Sequence, residues 1–263
     1  MFAVLLAAAL ATLASGPKVE PPPPPPPVHG RFDYQIGGSY KPAAGVAIVD
    51  RDRSAKPAGG RYSICYVNAF QAQTNELGWW RKHHPHLLLD SNGNPVIDQG
   101  WDEQLLDTST AKRRRGIAKI EGRWIDGCAS AGFRAVEPDN LDSWTRSQRL
   151  LTRKDNLALA RLLVMRAHSD GLAIAQKNTP QLGTAGRKLG FDFAIAEECQ
   201  VYDECDAFTK DFGAHVIEIE YTDNGGIANF QRACQARGAS ISILYRDRDV
   251  VPRGQPGYVS RWC

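Results

Sequence analysis

Several apolar runs in this chain end in acids and amides. FRAV runs into Glu137, Asp139, Asn140 and Asp142, and LAIA into Gln176, Lys177 and Asn178. FDFAIA runs into Glu197 and Glu198, and HVIEIE into Glu220 and Tyr221. Two carboxyl groups facing each other across a pocket can hydrolyse a glycosidic bond. One is held protonated to donate to the leaving oxygen, while the other stays ionised as nucleophile or base. A single acid at such a place caps a helix or pairs with Arg as readily as it catalyses. Four such run-ends gathered together, three of them acidic, are harder to explain that way, because clustered acids cost stability unless they are neutralised or used.

Positioning those ends requires a regular scaffold, and the sequence supplies one. Eight β-like runs recur: Phe32 to Gly38, Gly45 to Asp52, Arg61 to Ala69, Phe133 to Asn140, Leu172 to Asn178, Phe191 to Glu198, His215 to Thr222 and Ser240 to Asp247. Most are continuously apolar, as strands buried on both faces should be. Helical patterns alternate with the later ones. KDNLALARLLVMRAHSDG is expected to start on Asp155 or Asn156 and stop at Gly171, and NFQRACQARG to stop at Gly238. This rhythm predicts βαβ units and a parallel sheet. Eight strands in 263 residues favour an α/β fold of the closed TIM (β/α)8 type, whose strands open their C-terminal ends onto one face. An open nucleotide-binding sheet is disfavoured, since no GxGxxG follows the first run. Phe70 to about Gly100, rich in Trp, His and Pro, reads as an elaborated loop after the ICYVNA strand. A helix through AKRRRGIAKIEGRWIDGCASAG follows it, with Lys112 to Arg115 as a solvated face.

A formal charge of +3 gives no reason to expect nucleic acid or an anionic membrane as partner. Met1 to Gly16 has the length and apolarity of a signal peptide without a basic n-region, which fits a start inside a longer signal, and it is too short to span a bilayer. Pro17 and the run Pro21 to Pro27 follow, so residues 17–30 read as a proline-rich spacer standing off from a single domain over 31–263. Six cysteines fit an oxidising compartment, and a secreted monomer is expected. Cys199 and Cys205 can close a small loop, and Cys234 can tie down the terminal Cys263. Cys65 and Cys128 are left over, with a buried free thiol as one outcome for either.

The motifs GFRAVEPDNLDSW, GLAIAQKN, FDFAIAEECQVYDEC and VIEIEYTD, in that order, resemble glycoside hydrolase family 114, the endo-α-1,4-polygalactosaminidases. ICYVNAF and GWDEQLLDT resemble the family's second-strand motif and its tryptophan loop, so the likeness runs from about Phe32 to the C-terminus. The resemblance implies a TIM barrel that cleaves α-1,4-linked galactosamine polymers without a cofactor. It places the nucleophile or base on Asp139 and the general acid on Glu197. Around the sugar it implies Asp50 or Asp52, Tyr66, Asn140, Asp142, Lys177, Asn178 and Tyr221, with Glu137 beside them and Trp101 as a stacking platform. The usual CYxSxG run reads CYVNAF here, and Ala196 stands where a polar residue is common. Ammonium groups on such a polymer suit a cleft lined by Asp and Glu. Lys177 would help to keep a neighbouring carboxylate ionised.

Two other functions fit parts of the sequence. His83, His84, His86 and Asp90 would serve a metal-dependent polysaccharide deacetylase, although their spacing matches no strong metal motif. A barrel that binds polysaccharide without cutting it is the non-enzymatic alternative, and the presence of both Asp139 and Glu197 argues against it.

Overall fold

The structure, a computed structural model, describes residues 23–263. The expected signal peptide and the start of the proline-rich spacer lie outside the described residues. All eight expected strands form: β1 (Arg31–Tyr34), β2 (Val46–Asp52), β3 (Tyr62–Asn68), β4 (Ala135–Asp139), β5 (Ala173–Lys177), β6 (Phe193–Glu197), β7 (Val216–Tyr221) and β8 (Ser242–Arg246). They are parallel neighbours in chain order, and a ninth strand, β9 (Ser260–Trp262), lies antiparallel on β8. Among the described residues no backbone ladder joins β8 to β1. Side chains close that seam: Arg246 Nε donates to the Tyr34 carbonyl at 3.2 Å and Trp262 Nε1 to that of Phe32 at 2.6 Å. The architecture is the α/β TIM barrel that the strand–helix rhythm predicts.

Alternation along each strand divides the apolar side chains between two cores. Phe32, Ile48, Ile64, Phe193, Ile195, Ile219 and Leu244 fill the barrel interior. Val67, Val136, Ile174, Ala194 and Ile243 face outward onto the helices. Those helices are α1 (Leu77–His83), α2 (Ala111–Ala131), α3 (Arg153–Ser169), α4 (Thr184–Leu189), α5 (Cys205–Phe212) and α6 (Gly226–Arg237). Helix α4 lies so close to β5 that a Cβ at Gly186 would fall 1.8 Å from Gln176 Oε1. Any larger residue there would push the Gln176 amide aside. Among the described residues no helix is long and apolar enough to cross a membrane.

Several details differ from the sequence expectation. Helix α3 is capped neither by Asp155 alone nor by Asn156, but by a reciprocal box. The Asp155 N–H donates to Thr152 Oγ1 at 3.3 Å, and the Thr152 N–H donates to Asp155 Oδ2 at 3.0 Å. Asn156 is instead buried, donating to the Leu141 carbonyl and Ser143 Oγ, both at 2.8 Å. The last prolines do not stand off from the domain. Tyr62 donates its hydroxyl to the Pro24 carbonyl at 2.8 Å, and His215 Nδ1 lies 3.3 Å from that of Pro26, so two carbonyls find partners on the barrel. Within the basic run, Arg113 pairs with Asp107 and Arg114 with Asp155, so only its ends are a solvated face.

Cys199–Cys205 and Cys234–Cys263 are disulfides, and Cys65 and Cys128 form a third, so neither is a free thiol. Cys65 faces outward from β3 and Cys128 inward from α2, which brings two sulfurs together inside the outer core. This bridge closes a loop of 63 residues across the elaborated segment. The chain-entropy account gives a loop of that length roughly 4 kcal/mol. Replacing both cysteines by alanine is therefore expected to lower the unfolding free energy by about 2–4 kcal/mol, read from urea midpoints under non-reducing conditions.

Candidate active site

The C-terminal ends of the strands open into a cleft of about 450 Å³. The elaborated loop forms one wall: Ile97–Asp98 and Glu103–Leu105 pair as a small hairpin, whose tip carries the exposed Trp101 over the opening. Nine of the residues expected from sequence line it, namely Tyr66, Trp101, Asp139, Asn140, Asp142, Lys177, Asn178, Glu197 and Tyr221. The backbone turns sharply just after three strands to aim them. Asn140, Asn178 and Glu198 follow β4, β5 and β6 with φ of 65°, 46° and 59°. Asparagine tolerates this left-handed conformation, which explains EPDN and AQKN. Glu198 is a rarer occupant, held by a two-pronged contact with the Arg248 guanidinium.

Asp139 and Glu197 face each other across Lys177. Its Nζ lies 3.3 Å from Asp139 Oδ1, 3.4 Å from Glu197 Oε2 and 2.6 Å from Glu137 Oε1. The lysine is 2% exposed, so its charge acts at close range through a dry medium. Burial alone would lower its pKa, but Asp139, Glu137 and Glu197 outweigh that and hold the ammonium well above the usual lysine range. Asp139 also accepts from Tyr66 OH at 2.9 Å and from the Asn140 N–H at 2.8 Å. Glu197 accepts from Asn178 Nδ2 at 2.9 Å and from the Tyr221 hydroxyl. Burial, then the charges of Asp139 and Glu197 respectively, push both phenols well above the usual tyrosine range, so they stay protonated and donate.

Three expected sugar contacts are not in the cleft. Asp52 turns outward and bonds the Ser54 N–H at 2.8 Å. Asp50 and Glu137 are fully buried beneath the cleft, because their strand positions point into the barrel core. No donor among the described residues reaches either Asp50 oxygen or Glu137 Oε2, although the two carboxyl groups stand within hydrogen-bonding range of each other. Two buried carboxylates in contact cannot both ionise. Burial first, and then the Glu137 charge, push Asp50 well above the ordinary carboxylate range. Asp50 is therefore the protonated partner, donating to Glu137, which takes Lys177 and the Tyr34 hydroxyl on its other oxygen.

Sequence reasoning missed other groups in the cleft. Arg146 bridges Asp98 at 2.6 Å and Asp142 at 3.0 Å, while Arg248 lies 4.1 Å from the Tyr221 ring and pairs with Glu198 and Asp223. The polar-strand-end signal was present after β8, in YRDRD, and leads directly to Arg248 and Asp249. Glu103 also lines the cleft, from the motif GWDEQLLDT. Glu220 has a different task, since β7 turns it outward to bond the Gln200 N–H and Asn229 behind the sheet. His83, His84 and His86 do not converge with Asp90 on a common point. The first two pack on Trp79, with ring centres 5.5 and 5.0 Å away.

Asp50→Asn replaces a neutral acid by a neutral isostere. It is expected to fold with stability within about 1 kcal/mol of the parent near pH 4. The unfolded chain releases the Asp50 proton near 3.8, whereas the folded protein retains it, so the parent loses stability as pH rises and the variant does not. Urea midpoints across that range should move in the variant's favour; a shift the other way would mean that Asp50 is ionised.

No curated protein sequence matches the chain. Among solved structures it is similar to Ega3 of Aspergillus fumigatus, solved in complex with galactosamine, at 20% identity and a TM-score of 0.73, covering 94% of this chain and 100% of that one. It is also similar to the glycoside hydrolase domain of PelA from Pseudomonas aeruginosa, at 15% identity and a TM-score of 0.60, covering 86% of this chain and 96% of that one. Both likenesses carry the fold. The model of glycoside-hydrolase family GH114 matches residues 13–263, all of the barrel and every group that meets at Lys177, and the chain belongs to that family.

Proposed function

We propose that this glycoside hydrolase cleaves α-1,4-linked galactosamine polysaccharide, with Asp139 as nucleophile and Glu197 as general acid. The observation that carries the reading is the pair of carboxyl groups bridged by one buried lysine in an open cleft. Substrate class draws on the galactosamine bound by Ega3 and on charge. Six acids and three basic residues line the cleft, and each of its two arginines is already matched by two acids. An aminosugar polymer bearing ammonium groups meets a negative field there. Three disulfides support secretion.

Stereochemistry follows from spacing. The two oxygens held by Lys177 can be no further apart than the two distances laid end to end, about 6.7 Å. A bound that short supports a retaining pair, whose carboxyl groups stand about 5–5.5 Å apart. In the first step Glu197 gives its proton to the glycosidic oxygen as that bond breaks, and Asp139 bonds to the anomeric carbon. In the second, Glu197 takes a proton from water, whose oxygen displaces Asp139. A side cavity of about 230 Å³ shares Asp142, Asn178 and Glu197 with the main cleft, which supports Glu197 as the group beside a departing chain.

Asp139→Asn and Glu197→Gln should each lower kcat on de-N-acetylated α-1,4-galactosamine polymer by roughly three orders of magnitude or more, with near-native circular dichroism. NMR of early product should show the α anomer first. Unchanged rates in both variants would remove the site assignment, and a β product would replace the two-step mechanism by inversion. Intact chains despite measurable binding would leave a polysaccharide-binding barrel.

A further inference from the structure

Among the described residues, Glu103 and Asp249 are the acids of the cleft that no basic side chain pairs with, and Glu103 is the one fixed by a hydrogen bond. It stands on the hairpin that carries Trp101, half-buried, and its Oε2 accepts from Asn68 Nδ2 at 2.6 Å. Asn68 Oδ1 in turn accepts from Asn140 Nδ2 at 2.9 Å, and Asn140 is the residue whose N–H binds Asp139. This amide chain ties Glu103 to the nucleophile's own turn and fixes its rotamer. Among the described residues nothing donates to its other oxygen, Oε1, and no lysine, arginine or histidine pairs with it. The cations of the cleft are engaged elsewhere: Lys177 by Glu137, Asp139 and Glu197, Arg146 by Asp98 and Asp142, and Arg248 by Glu198 and Asp223.

A carboxyl group in a cleft, fixed at one oxygen and open at the other, is a receptor for a cationic group of the substrate. We infer that Glu103 binds the ammonium of a galactosamine unit lying against Asp139, and so selects free amine over N-acetyl at that subsite. The inference rests on the aminosugar reading of the cleft. An acetamide offers no charge and adds bulk where the carboxylate waits, which leaves that carboxylate desolvated without a partner.

Its environment adds a pH signature. Burial, with Asp139, Asp98 and Glu76 as the charges acting on it against the Asn68 hydrogen bond, raises Glu103 to about 7. Below that pH the group is neutral and pairs weakly with an ammonium; above it the carboxylate forms and binding strengthens. Deprotonation of the sugar amine at higher pH acts in the opposite sense on any acidic site, so comparison with an uncharged side chain isolates the Glu103 contribution.

The test is calorimetric binding of two oligosaccharides, α-1,4-galactosamine and its fully N-acetylated form, to Glu197→Gln protein with and without Glu103→Gln. The amide keeps the shape and can still accept from Asn68. The preference for amine over N-acetyl is expected to fall by roughly tenfold in the Glu103→Gln protein. The increase in that preference as pH rises through about 7 should disappear with it. If both ligands bind and the preference is unchanged, the inference is overturned while the aminosugar reading stands. If neither ligand binds even with Glu103 intact, the substrate reading falls and takes this inference with it.

Discussion

Taking an ammonium group out of water costs several kcal/mol unless acids surround it, and this barrel is arranged around one such group. Lys177 meets carboxylate oxygens from β4 and β6 and the Tyr34 hydroxyl from β1, so side chains from three other strands converge on one nitrogen. The ion pair with Glu137 supplies the compensation that makes its burial tolerable. Asp139 and Glu197 are then extra acids, held on the same charge at the longer distances of 3.3 and 3.4 Å, and they face the opening. Glu137 balances the lysine's charge from below, and Asp139 and Glu197 do so from the cleft side. The same nitrogen limits how far apart the two carboxylate oxygens that face it can sit.

That arrangement needs Glu137 to remain an anion, and Asp50 makes this possible by remaining an acid. Were both ionised, the floor would carry an extra negative charge in a place that water does not reach. Were both protonated, Lys177 would lose its nearest partner. One proton between two carboxyl groups leaves Glu137 with donors on each oxygen: Asp50 on one, Lys177 and Tyr34 on the other. Asp50 therefore acts through Glu137 and not on the sugar, although it sits only one barrel layer below the cleft.

The fold was legible in the sequence because the signals that specify a parallel barrel are local. Continuous apolar strands, helices with C-terminal glycines, and polar residues at strand ends can all be read in windows of ten residues. What escaped depends on geometry across the barrel. The SRW segment is too short to announce β9. Cys65 and Cys128 lie 63 positions apart, and only the packing of α2 on β3 brings them together. Whether an acid near a strand end lines the cleft or lies under it depends on strand parity and on depth. Asp139 and Glu197 are the last residues of their strands and reach the opening, whereas Glu137, two residues earlier on the same face, falls one layer lower. Asp52 is also the last residue of its strand, yet the turn through Ser54 draws its side chain away. Arg248 was overlooked although the strand-end rule applied to β8 as well as to the acidic ends.

Net charge, finally, misrepresents what this surface offers a ligand. The chain as a whole is formally +3, yet the cleft lining carries twice as many acids as bases. Its basic residues do not cancel the field evenly, because each is committed to particular carboxylates at close range and those pairs act as local dipoles. An incoming ammonium therefore meets the acids that pairing has left over, which are Glu103 on the hairpin wall and Asp249 beyond β8, neither of which bonds a basic side chain among the described residues. On the proposed function, recognition of a cationic sugar is thus separated from the two acids assigned to the reaction. Asp139 and Glu197 are occupied by Lys177 and by fixed hydroxyl and amide donors, which suits groups whose protonation must be controlled. Glu103 is held at one oxygen only, which suits a group that must accept a charge from outside.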